Sequence, residues 1–175
     1  MGTRQVVRTE YQARRLAIAV DAPFDDFRRR YEEAVPVFDP AAFKPLYDRK
    51  ADWSEWVEVT HRAAPHDFLR YWQIDAQPMM GVAGDPADCV QYLMGNHTVA
   101  ERMFRHDPTV FLYVPLRVSI SDDGSTGTWF SIDQPSRNLD SYGRPEITSV
   151  GVELDHKVGR LLEFLGVSVP PDLLP

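Results

Sequence analysis

Cysteine is almost missing from this sequence: Cys89 is the single one among 175 residues. With no partner for an intramolecular disulfide and no cysteine and histidine cluster of the zinc type, a reducing compartment is expected, with the cytoplasm as the default. Long apolar runs are missing too. Nothing approaches the roughly 20 residues that span a bilayer, and no apolar signal region follows Met1, so no membrane association is expected. Net positive charge is also absent. Asp and Glu number 26 against 19 Lys and Arg, a formal charge of −7, and the average surface potential therefore repels phosphate backbones and anionic lipid heads. Nucleic acid is not an expected partner. The one basic cluster, Arg28 to Arg30, sits among Asp25, Asp26, Glu32 and Glu33 and reads as a mixed solvated helix face. No serine occupies a nucleophile elbow, no glycine-rich loop has phosphate-binding spacing, and no tryptophan or arginine platform suggests single strands.

What is present is the composition of one folded domain. Hydrophobic residues make up 43% and charged residues 26%, and a chain of this length buries roughly 70% of its unfolded surface. Residues 1 to 13 carry no period and read as a mobile arm or weak edge segment. The run Leu16 to Val20 predicts a buried strand, followed by a helix that Asp21 caps and Pro23 opens, running to about Val35. Pro36, Pro40 and Pro45 predict an irregular stretch up to Ala51. Asp52 and Glu55 have capping-box spacing for a second helix, on which Trp53 and Trp56 read as core.

Four strands are expected at Phe68 to Asp75, Cys89 to Met94, Val110 to Ile120 and Thr128 to Asp133, with a helix from Asn96 to about His106. The last two strands form a hairpin through the turn chemistry of Asp122, Asp123 and Gly124. Ile147, Val150, Leu154, Val158, Leu161 and Leu165 recur at helical spacing for a final helix that Pro145 opens and Gly166 closes, with residues 167 to 175 as a tail. The order predicts an α+β fold, an antiparallel sheet with helices on one face, without internal repeats.

Alternation along the hairpin turns Leu112, Val114, Leu116, Val118, Ile120, Phe130 and Ile132 toward the helices. The other side then carries Phe111, Tyr113, Arg117, Ser119, Trp129, Ser131 and Asp133. Such a mixture suits a pocket for a small aromatic or apolar molecule, a homodimer interface, or a second packing layer. Asn96 caps the helix after Gly95, its free amides suit an anion, and in the pocket reading this terminus and the aromatic sheet face line one cavity. His97, at the positive end of the helix dipole, is expected to be neutral. With Glu101 one turn away, His97 has three readings: a structural histidine, a general base, or a ligand of metal or haem, with Arg117 stabilising negative charge in the catalytic version. On the last helix Gly151, Asp155 and Gly159 make a narrow side with a carboxylate in its middle. Asp155 there either meets water or a cation, or contributes to the site.

The segments Tyr92 to His97, Ala100 to Met103, His106 to Pro108, Leu112 to Arg117 and Asp133-Gln134-Pro135 together resemble the signature of the domain of unknown function 302 family, over residues 60 to 166. That resemblance implies a strand-helix-four-strand-helix core of the TATA-binding-protein class with inserted helices. It implies no reaction. Members often carry proline where this chain has His97.

Overall fold

The computed structural model describes residues 6–175. Residues 1–5 of the expected arm lie outside the described residues; 6–14 form neither helix nor strand, and Tyr11 rests edge-on against Tyr113. The chain then runs β1 (Arg15–Val20), α1 (Phe24–Ala34), α2 (Pro40–Asp48), α3 (Trp53–Ala63), β2 (Leu69–Asp75), the single turn α4 (Gln77–Met80), and β3 (Asp88–Gly95). It continues through α5 (His97–Phe104), β4 (Leu116–Asp122), β5 (Thr128–Asp133), α6 (Pro135–Asp140) and α7 (Pro145–Phe164).

The strands pair in the order β1-β5-β4-β3-β2, each pair antiparallel, which is the α+β arrangement expected. Because side chains alternate across a sheet, one face gathers Ile18, Val20, Phe130, Ile132, Val118, Ile120, Val90, Tyr92 and Met94, all buried. Phe27 and Tyr31 of α1 and the stripe Ile147, Val150, Leu154, Val158, Leu161 of α7 complete that core. The opposite face shows Arg15, Ala17, Ala19, Arg117 and Trp72 to solvent. No helix among the described residues is long and apolar enough to cross a membrane.

Three expectations need correction. The stretch after Pro36 holds a helix, α2, because Asp39 accepts from the Ala41 amide at the N-cap and Pro40 stands where its missing N–H costs nothing. Asp52 and Asp21 make no side-chain cap: Asp52 precedes α3 without one, Pro23 holds the N-cap place of α1, and Glu55 instead grips Arg49. The third strand begins at Leu116 and not at Val110. Asp107 accepts from the Thr109 amide and winds Pro108–Leu112 into a 3-10 turn, so Phe111 and Tyr113 leave the sheet and Leu112 is exposed.

The narrow side of α7 does what its small residues permit. A Cβ on Gly151 would stand 3.0 Å from Ser136 Cα of α6, and one on Gly159 would run into the Leu173 carbonyl. Val167 and Leu173 are buried, so the tail expected at 167–175 packs on the domain.

Candidate functional site

The site begins with an irregularity in β2. Arg70 pairs with Met94 and Trp72 with Leu93, which leaves Tyr71 as the extra residue of a bulge. A bulge re-aims its side chain, and this one directs Tyr71 at the first residue of α5. Beside it, Phe38 is pinned by backbone bonds from Arg70 N to Pro36 O and from Phe38 N to Arg70 O, at 2.7 and 2.8 Å. Arg70 itself is buried and held by the carbonyls of Val35 and Glu32, so this corner is rigidly tied.

Asn96 caps α5 by accepting from the Thr98 amide, and its own amide donates to Asp67 O. His97 follows. Tyr71 Oη lies 2.8 Å from Nδ1 and accepts from the His97 amide at 3.2 Å, while Thr60 Oγ1 lies 2.7 Å from Nε2. Thr60 spends its proton on the Trp56 carbonyl. One arrangement of protons uses every partner: Nε2–H donates to Thr60, and Tyr71 donates to Nδ1. Burial pulls the His97 pKa below its ordinary value and pushes Tyr71 up to about 12, so a neutral imidazole and a protonated phenol face each other.

Two hollows share this pair. The first is a cavity of about 100 Å³ bounded by Val99, Ala100 and Met103 of α5, Phe111, Pro115, Leu116 and Leu154, with Gly95, Asn96, Tyr71 and His97 at one end. Its polar wall residues have their hydrogen bonds met elsewhere, so carbon faces inward. The second is an aromatic recess bordered by Phe38, Tyr47, Trp53, Trp56, Tyr71 and His97. Trp53, read from the sequence as core, is 45% exposed there.

The remaining expected residues fall elsewhere. Glu101 does not orient His97; both its oxygens hold Arg105, at 3.1 and 2.5 Å. Arg117 pairs with Asp133 at 2.7 Å on the open sheet face, in a shallow polar depression with Ser131, Gln91 and Arg15. Trp129 donates to Thr126 at the hairpin turn and does not border that depression. Tyr113 bonds Tyr11. Asp155 is buried and accepts from Gln134 Nε2 at 2.9 Å and the Ser136 amide at 3.0 Å, which makes it the cap of α6 supplied from α7. Asn96, Phe111 and His97 are thus brought together, and Arg117, Ser131 and Asp133 meet one another on the sheet face away from them, while Trp129 and Asp155 join neither group. The expectation that the sheet face and the Asn96 terminus line one cavity fails, because the chain enters β4 only at Leu116 and residues 108 to 115 lie outside the sheet.

Sequence reasoning missed Tyr71, Thr60 and Phe38. The available signal was the crowding of five aromatic residues between positions 38 and 56. A metal or haem iron at His97 would require Tyr71 or Thr60 to leave, and no group of three or more His, Cys, Asp or Glu gathers among the described residues.

The model of the family "Domain of unknown function DUF302" matches residues 48–165. The chain belongs to the DUF302 family. Every residue bordering the cavity lies inside that match, whereas Phe38 and Tyr47 of the recess precede it. The crystal structure of an uncharacterized conserved DUF302 protein from Bacillus stearothermophilus is similar, with a TM-score of 0.61 at 12% identity over 85% of this chain and 95% of that one. That likeness extends the family's fold to this chain. No curated protein matches it.

Proposed function

We propose that this DUF302 domain binds a small apolar or aromatic molecule in the cavity beneath α5. The observation that carries the reading is a cavity of about 100 Å³ whose polar wall residues, Asn96, His97 and Tyr71, are all hydrogen-bonded within the protein. A void lined by carbon stays dry and rewards an apolar guest; its size is somewhat below the ~150 Å³ that accommodates benzene in an engineered cavity. A ring or short alkyl branch fills it, and the rest of the molecule leaves past Phe111, which is 57% exposed. The position of the cavity, wholly within the family match, supports the same reading. His97 acts here as part of the frame.

Calorimetric titration with benzene and indole tests this. Affinities on the order of millimolar are expected, since so small a contact leaves little after the cost of immobilisation. Ala100→Leu, which fills the cavity, should abolish binding, and Arg117→Ala should leave it unchanged. Loss of binding in Arg117→Ala with retention in Ala100→Leu would move the ligand to the sheet face.

A second reading concerns that sheet face. Among the described residues no helix lies over Arg117, Ser119, Ala17 and Trp72, and Trp72 is 46% exposed beside the half-buried Leu93 and Ile74. Exposed apolar surface on a sheet suits a second copy of the chain. Light scattering decides: a strictly monomeric species at micromolar concentration removes the dimer.

A further inference from the structure

The aromatic recess differs from the cavity in chemistry. Its volume is about 380 Å³, and each side chain that borders it, Phe38, Tyr47, Trp53, Trp56, Tyr71 and His97, is a ring. Among the described residues no Lys, Arg, Asp or Glu side chain takes part in that border. The rings brace one another: Phe38 stacks on Tyr71 at 4.9 Å, Trp53 on Trp56 at 6.5 Å, and Tyr47 stands edge-on to Trp56 at 4.5 Å. Stacking on Phe43 and Tyr71 occupies Phe38, and stacking on Phe43 and Trp53 occupies Trp56, so the rings open to a ligand are the outer ones, Tyr47 and Trp53, which are exposed.

Aromatic faces carry the negative part of a quadrupole and attract cations, tryptophan most strongly. Which cation follows from what the recess lacks. A primary ammonium is strongly hydrated and would bring three N–H donors to walls without a carboxylate. A quaternary ammonium has no N–H to satisfy and needs only faces and methyl contacts. An anion finds no cation on the walls, since among the described residues no Lys or Arg borders the recess, and Arg49 is held by Glu55 and Lys44 by Asp48. The imidazole of His97, wedged between Tyr71 and Thr60 and held toward the neutral form by burial, does not repel a positive guest. The net charge of −7 draws cations toward the molecule.

We infer that the recess binds the quaternary ammonium head of a small molecule. Because Phe38 and Tyr47 precede the family match, the site is built partly from this chain's own N-terminal segment. It shares Tyr71 and His97 with the cavity proposed above but does not depend on that reading.

The probes are choline, tetramethylammonium and 3,3-dimethylbutan-1-ol, the last a neutral isostere of choline with carbon in place of nitrogen. Calorimetric titration should show choline binding about tenfold tighter than the isostere, the difference a partly desolvated cation–π contact contributes. Trp53→Ala and Tyr47→Ala, both at exposed positions, should each weaken choline by several fold while leaving the thermal midpoint near that of the parent. Ala100→Leu should leave choline binding untouched, so a failure of the cavity and a failure of the recess are distinguishable. Equal binding of choline and its isostere, or no heat from choline beyond that of sodium chloride, would overturn the inference.

Discussion

His97 shows how a residue with catalytic chemistry becomes framework. Its imidazole lies between Tyr71 and Thr60 with Phe43 edge-on at 5.2 Å, and burial lowers its pKa from the ordinary 6.5. A group that takes up its proton less readily when folded favours folding above the unfolded value and loses that advantage as pH falls through the folded one. The thermal midpoint should therefore fall between pH 6.5 and the lowered folded value, and His97→Gln should flatten that slope; parallel slopes would contradict the account. Asp155 is the second such residue. Asp155→Ala strands the Ser136 amide and one bond of Gln134, and chemical denaturation should register a loss of about 3 kcal/mol. Arg117→Ala, at an exposed pair, should cost less than about 1 kcal/mol. Helical spacing put Asp155 between two glycines and so was legible, but which groups it would meet was not, because Gln134 and Ser136 lie 21 and 19 positions away.

Elements were legible where one period dominates. The stripe of α7, the alternation of β4 and β5, and Gly166 at φ +75° closing the last helix all follow from spacing and backbone conformation. Segments with many prolines were not. Pro40 and Pro108 each open a helical turn whose N-cap, Asp39 or Asp107, decides the outcome; treating proline as a breaker misses the first, and reading Val110 to Ile120 as one alternating strand misses the second. The bulge that presents Tyr71 left no local mark either, since it depends on the partner strand β3. The contact between α7 and the final segment gives a prediction at this scale. Gly159→Ala pushes a methyl against Leu173 O, so overpacking should cost about 1–3 kcal/mol. Limited proteolysis should then cut residues 167 to 175 faster than in the parent; an unchanged cleavage rate would mean the tail is not held there.

At the scale of the molecule, the helices gather on one side of a five-strand sheet, and the cavity lies where α5, the 3-10 turn and α7 meet the end of β4. Charge and composition are properties of the whole chain and could not place the cavity. Placement required the 3-10 turn that Asp107 caps, which keeps residues 108 to 112 out of β4. The central claim is that small apolar molecules enter beneath α5. It is tested most directly by methyl NMR of methionine-labelled protein during an indole titration, with Met103 bordering the cavity and Met79 and Met80 exposed in the segment between β2 and β3. A saturable shift of the Met103 methyl, with Met79 and Met80 unmoved, is the result predicted. A Met103 signal indifferent to indole while the exposed methyls move would contradict it.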